Sequence, residues 1–242
     1  MSNKSHVVVA GYSRSGTTMF YNMLRHAVDN YAFLDKETPV LSLLGSEGNV
    51  VSKRPLDIFD IDKIPQANVH KKDVHLIVLV RDIRSIMTSR HQGVANDYFI
   101  GYDYQYFISA NKAPQYINPG IIKTHNAIFK AYETKACKNI LFVKFEDLVS
   151  DPASIQQRLG CELDFTYKDS FEDFHQGTIP AQLQAPLNSI RSVDKTRIDS
   201  WREEKHKQRV LSQFSRCPAL FDILIQYGYE LDRSWFEEYA SG

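Results

Sequence analysis

Residues 6–18, HVVVAGYSRSGTT, constrain the fold more than any other stretch of this sequence. The β-branched run 6–10 predicts a short buried strand that ends at Gly11. From Thr17 onward Met19, Phe20, Met23, Leu24 and Ala27 recur at three- and four-residue steps, which predicts a helix over 17–28. A strand, a glycine-bounded loop and a helix in immediate succession open a βαβ unit, and such a unit closes on a parallel sheet. The alternation continues along the chain. HLIVLV at 75–80 reads as a second buried strand, followed by a helical stretch from Ile83. Residues 121–136 carry Ile121, Ile122, His125, Ile128, Phe129 and Tyr132 on one helical stripe, and 139–145 reads as a third strand. Ser150-Asp151-Pro152 looks like a helix start with Pro at the first helical position, and further helices fall around 203–214 and 219–227. Because these strands are continuously apolar, both faces of the sheet are buried. The expected architecture is an α/β three-layer fold, a central parallel β-sheet flanked by helices. With no internal repeat, low-complexity tract or Pro/Gly-rich linker, a single domain over 1–242 is expected. Sheets of this kind bind ligands beyond the carboxyl ends of their strands, so functional residues are sought in the segment after each strand.

The 29 Lys and Arg balance 29 Asp and Glu, which argues against a general nucleic-acid coat, normally a basic protein. The balance is a sum over segregated regions. Residues 189–209 hold seven Lys/Arg against four Asp/Glu, whereas 146–173 hold two against eight, so a local anion site is compatible with zero net charge. Cys137, Cys161 and Cys217 are too few and too scattered for a disulfide framework and show no CxxC spacing. No apolar run approaches the roughly 18 residues of a membrane span, and the N-terminal sequence has too short an apolar run for a secretory signal. A soluble, reducing, cytoplasmic protein is therefore expected, with no nucleic-acid partner and no membrane span.

The loop Gly11-Tyr12-Ser13-Arg14-Ser15-Gly16-Thr17-Thr18 is nearly the phosphate-binding GxxxxGK[ST], with Thr17 where the Lys would stand. Gly16 lets the backbone wrap an anion, and the free amides and positive end of the following helix face it. Thr17 and Thr18 add hydroxyls, and the cation appears inside the loop as Arg14. A second candidate anion element lies after the second strand. Arg81 stands at its carboxyl end and Ser89 eight residues later, about 12 Å along a helix axis.

Together these elements resemble the sulfotransferases that use 3′-phosphoadenosine 5′-phosphosulfate (PAPS). That family carries P-[KR]-S-G-T-T at the first strand end and R-[DN]-P-x5-S further on. Here they read Ser13-Arg14-Ser15-Gly16-Thr17-Thr18 and Arg81-Asp82-Ile83 through Ser89, with Ser13 and Ile83 in place of Pro. The family's YEDL-x-x-DP is matched by Phe145-Glu146-Asp147-Leu148-Val149-Ser150-Asp151-Pro152, and its C-terminal basic segment loosely by 194–202, so the resemblance spans residues 6 to about 202. Met19 stands where the family's adenine-stacking Trp often follows the Thr pair. The resemblance is to bacterial and carbohydrate members. It implies a P-loop nucleotide-kinase-like fold and transfer of a sulfuryl group from PAPS to a hydroxyl or amine of a carbohydrate or small metabolite. It implies that Ser13, Arg14, Ser15, Gly16, Thr17 and Thr18 hold the 5′-phosphosulfate, that Arg81 and Ser89 hold the 3′-phosphate, and that Lys195 and Arg197 close over the latter. No metal is required.

Transfer needs positioned charge at the leaving phosphate and a base for the acceptor proton. Arg14 stays protonated and serves as an electrostatic stabiliser. Asp35-Lys36-Glu37-Thr38-Pro39 resembles the family stretch in which Glu is the base, and Val51-Ser52-Lys53-Arg54-Pro55 resembles the stretch whose Lys lies by the sulfuryl group. Glu37 and Lys53 are thus the implied base and charge neutraliser. His70, His75 and His91 are rival bases. The aromatic run from Tyr98 to Phe107 reads as packing or acceptor stacking. Glu146 and Asp147, read as strand neighbours, point to opposite faces and do not share a site. Two other functions are kept open: a P-loop kinase or nucleotidase using ATP, and a non-catalytic phosphonucleotide-binding protein.

Overall fold

The computed structural model describes residues 4–89, 119–184, 187, 192–195 and 198–242. His91, the aromatic segment 98–107 and Arg197 lie outside the described residues. In chain order the elements are β1 (Ser5–Gly11), α1 (Thr17–Ala27), β2 (Ala32–Phe33), α2 (Val40–Leu43), β3 (Val50–Lys53), α3 (Ile64–Ala67), β4 (Asp73–Val80), α4 (Ile83–Thr88), α5 (Ile121–Glu133), β5 (Asn139–Lys144), α6 (Phe145–Ser150), α7 (Pro152–Leu163), α8 (Ala181–Gln184), α9 (Glu204–Arg216), α10 (Ala219–Gln226) and α11 (Ser234–Ser241). The strands form one parallel sheet in the order β2-β3-β1-β4-β5, an α/β three-layer fold. β1 is central. The chain passes from it to β2 and β3 on one side, then to β4 and β5 on the other, so the switch of direction falls at the carboxyl end of β1.

The three strands read from the sequence are β1, β4 and β5. The other two, β2 and β3, are two and four residues long, too short for a periodic signal. One expectation is corrected: the third strand stops at Lys144, and Phe145–Ser150 is helix α6. Glu146 and Asp147 therefore sit in the first turn of a helix, where carboxylates favour the positive end of its dipole.

The chain forms two compact units. The first, Met1–Arg81 with Ile128–Lys195, contains the whole sheet. Val7 and Val9 of β1, Val51 of β3, Ile77 and Leu79 of β4 and Val143 of β5 belong to one core with Phe20, Met23, Leu24 and Ala27 of α1 and Ile155, Leu159 and Leu163 of α7. Fully burying a side chain such as Leu24 stabilises the fold by about 1.5–3 kcal/mol. Phe20 meets Phe171 edge to face at 6.1 Å, which seats the 3₁₀ turn Phe171–Gln176 against α1. The alternate strand residues Val8, Ala10, Leu76 and Val78 are also wholly buried, so both faces of the sheet are covered. α7 starts as its sequence suggests: the Asp151 side chain accepts from the Ser154 amide at 3.0 Å and Pro152 occupies the first turn.

The second unit, Asp82–Ala127 with Thr196–Gly242, is built around aromatic rings. Trp201, Phe214, Phe221 and Trp235 are buried, and Phe214 lies 5.0 Å from Trp235 and 4.9 Å from Phe221, in edge-to-face contacts. The Arg84 guanidinium lies 3.9 Å from the Trp201 ring centroid and 4.4 Å from that of Trp235. Among the described residues no helix is long and apolar enough to cross a membrane.

Candidate active site

The backbone of the loop after β1 requires glycine at two positions. At Gly11, φ is +125° and a Cβ would lie 2.6 Å from the carbonyl oxygen of Leu79 on the neighbouring strand. At Gly16, φ is +91° and a Cβ would lie 2.6 Å from the ring of Phe145. Between them Arg14 adopts φ 70°, a left-handed conformation that costs an L-residue free energy. Ser15 is fully buried and its hydroxyl donates to the Tyr12 carbonyl at 2.7 Å, so its proton is used within the loop. Gly16 is the N-cap of α1, and no side chain caps that end. The Phe20 amide is the first to bond within the helix, to the Gly16 carbonyl at 3.0 Å. The amides of Thr17, Thr18 and Met19 have no intrahelical acceptor and are the donors an anion would use. Thr17 and Thr18 are buried, whereas Ser13 and Arg14 are partly exposed.

Lys53 is the last residue of β3 and pairs in register with Val9 of β1, two residues before Gly11. It is 4% exposed. Its Nζ donates to Glu37 Oε1 at 2.5 Å, and the Glu37 side chain is 45% exposed. The two residues that resemblance implied separately thus form one ion pair, with the cation sunk into the sheet end and the carboxylate at the surface. Tyr21 and Arg25 of α1 anchor the chain leading to Glu37. The Tyr21 hydroxyl accepts from the Leu34 amide at 2.6 Å and donates to the Leu34 carbonyl at 2.9 Å; burial pushes the phenol up to about 12, so it keeps its proton. Arg25 donates to the same carbonyl at 3.2 Å and pairs with Asp35 at 2.6 Å.

Arg81 directly follows β4, the other neighbour of β1. Its Nη1 donates to the Arg14 carbonyl at 3.3 Å, and its guanidinium stacks 4.3 Å from the Phe145 ring centroid. One ring therefore supports both the Gly16 turn and Arg81. Phe145 was matched to a family motif and read as a strand end, with no role in the candidate site; its position at the carboxyl end of a parallel strand was the available signal. Lys195 is exposed, and its Nζ donates to the Ser150 carbonyl at 2.9 Å. Ser89, which caps the end of α4, belongs to the second unit.

Of the rival histidines, His70 and His75 sit elsewhere. His75 lies on β4 five residues before Val80, about 17 Å from its carboxyl end at 3.3–3.4 Å per residue. Burial holds its imidazole below the ordinary range. His70 is exposed and precedes β4. Among the described residues no group of three or more His, Cys, Asp or Glu is placed to hold a metal ion.

No curated protein matches this chain. Among solved structures it is similar to the sulfotransferase domain from the Synechococcus PCC 7002 olefin synthase, with 15% identity, a TM-score of 0.57, and coverage of 84% of this chain and 89% of that one. It is equally similar to the sulfotransferase domain from the curacin biosynthetic pathway, with 15% identity, a TM-score of 0.57, and coverage of 88% and 98%. Identity this low shows a shared fold. Sequence likeness goes further, because the model of the sulfotransferase domain family matches residues 4–176, from the start of the sheet through α7 and the turn after it. That match takes in the β1 loop, the Glu37–Lys53 pair, Arg81 and Phe145, and on it this chain belongs to the sulfotransferase family.

Proposed function

We propose that the chain transfers a sulfuryl group from PAPS to a hydroxyl or amine of a carbohydrate or small-metabolite acceptor by in-line displacement, with Glu37 as base. The Glu37–Lys53 pair beside the β1 loop carries this reading, since a base and a cation are both needed where the sulfuryl group passes. The chain also fits the donor's anions. The glycine-shaped turn, the free amides of Thr17 and Thr18, and the cations Arg14 and Arg81 gather at the carboxyl ends of β1 and β4.

PAPS supplies the activated sulfuryl group on its 5′-phosphate. Arg14 and the first amides of α1 offset the negative charge left on that phosphate as its bond to sulfur breaks. Lys53 neutralises charge on the sulfuryl oxygens. As Lys53 turns toward them, Glu37 is released from its ion pair and takes the acceptor proton while the new bond to sulfur forms. By resemblance, Arg81, Ser89, Lys195 and Arg197 are assigned to the 3′-phosphate. General-base catalysis of this kind contributes about 10²–10⁴-fold.

The test is thermal shift and calorimetry with PAPS, adenosine 3′,5′-bisphosphate and ATP–Mg²⁺, followed by an acceptor screen for sulfate incorporation. Tight binding of the first two and sulfated product are expected. Tight ATP binding without response to PAPS would overturn the reading in favour of a P-loop kinase or nucleotidase.

A further inference from the structure

Asp57 is a wholly buried carboxylate in the 3₁₀ turn Pro55–Phe59, which packs on β1. It is outside the anion loop, and the transfer mechanism does not use it. Its two oxygens are divided between two chain segments. Oδ2 accepts from the Val40 amide at 3.2 Å, three residues after Glu37. Oδ1 accepts from Arg54 Nη1 at 3.1 Å, one residue after Lys53. The Asp57 amide also donates to the Arg54 carbonyl at 3.0 Å, and the Arg54 amide donates to the Val9 carbonyl of β1 at 3.2 Å. Among the described residues, segment 37–40 is tied to other segments by two polar contacts: the Glu37–Lys53 pair itself and the Val40–Asp57 bond. Pro39, with φ −56°, stiffens the short stretch between Glu37 and Val40.

We propose that Asp57 is a positioning residue that holds Glu37 and Lys53 in transfer geometry from behind. It clamps the Glu37 segment to the Arg54 side chain, and through Arg54 to the end of β3 and to β1. Because Glu37 rests on a segment with few other polar ties to remote segments, the clamp, together with burial of Val40, must hold it when Lys53 turns away. This rests on the assignment of Glu37 as base. The charged groups that act on Asp57 are Arg54, which favours the carboxylate, and Asp60, which disfavours it. Burial dominates both and pushes the carboxyl up to about 6. Above that pH Asp57 is an anion that accepts from both Val40 and Arg54. Below it the protonated acid loses its charge-assisted bond to Arg54, and the clamp loosens. The sign for stability runs the other way. The folded protein holds a proton that the unfolded chain releases from its ordinary value of 3.8, so this group's contribution to stability falls as pH rises from there to about 6.

The test compares the full wild-type chain with D57N and E37Q. It follows release of adenosine 3′,5′-bisphosphate from PAPS with water as acceptor, and measures affinity for adenosine 3′,5′-bisphosphate separately. In D57N, turnover at pH 8 should fall about tenfold or more while bisphosphate affinity stays within about twofold, and the acid limb near pH 6 should disappear from the pH profile. Wild-type protein provides an arm that needs no variant to fold: protection of the Val40 amide from hydrogen exchange, corrected for intrinsic rate, should decline as pH falls through about 6. Unchanged D57N turnover and acid limb alongside an inactive E37Q would overturn the positioning role, as would pH-independent Val40 protection. An E37Q protein with full turnover would instead overturn the base assignment, and the positioning role with it.

Discussion

Lys53 and Arg84 are both cations with almost no exposed surface, and the two units use them in opposite ways. Arg84 is held from several sides. Nε and Nη2 donate to both oxygens of Asp82 at 2.7–3.1 Å, Nη1 donates to Glu230, and the guanidinium plane lies against Trp201 and Trp235. Among the described residues Lys53 has a single carboxylate partner, Glu37, reachable from solvent. A buried charge held by two carboxylates and two aromatic rings fixes structure, because removing any partner strands the others in low dielectric. A buried charge with one exchangeable partner is suited to chemistry, because another anion can take that partner's place.

This contrast can be broken from both sides. The largest structural effect is expected for Arg84→Met, which leaves Asp82 and Glu230 without their cation. A loss of about 3–5 kcal/mol in urea unfolding is expected, the usual result of breaking a buried pair. A loss under about 1 kcal/mol would mean that the buried Arg84 network is not structural. Glu37→Gln should do the reverse: turnover falls by about 10²–10⁴-fold. Unfolding should change by less than in Arg84→Met, about 1–2 kcal/mol, because the Gln amide oxygen can still accept from the buried Lys53 and the pair opens to solvent through the half-exposed Glu37. Gly16→Ala lies between them, since it meets the Phe145 ring and an unfavourable φ together. Destabilisation of about 1–3 kcal/mol is expected, with weaker calorimetric binding of adenosine 3′,5′-bisphosphate. The smallest effect is expected for Ser89→Ala, about 1–2 kcal/mol in bisphosphate affinity with unaltered stability. An unaltered affinity would remove Ser89 from the donor site.

The β1–loop–α1 unit was legible because its signals are local. A β-branched run, two glycines and a helical stripe act within 28 residues, and the element bounds follow them closely. β3 was not legible. Val50–Lys53 is a strand because it pairs with β1, from His6↔Val50 to Val9↔Lys53, and no four-residue pattern announces that. Resemblance named Glu37 and Lys53, but their contact at 2.5 Å depends on how the chain between them folds back. Phe145 reads as the end of a strand and is instead the first residue of α6, with its ring against Gly16 in the loop after β1. Asp57 carried no sequence signal, since its importance lies in spanning two segments.

Gly16 draws the same line within one residue. Its place between a strand and a helix is written in the sequence, because a tight turn with positive φ is a local steric demand. The absence of room for a side chain there is imposed by Phe145, 129 positions along the chain. The sequence by itself determined the alternation of elements and the glycine-bounded loop after β1, which rest on short-range sterics and hydrophobic periodicity, and its motifs carried the family. Tertiary structure alone decided the strand order, the pairing of Glu37 with Lys53 and the bond from Arg84 to Glu230. Those depend on which remote segments burial brings together, and burial is a property of the whole packed chain.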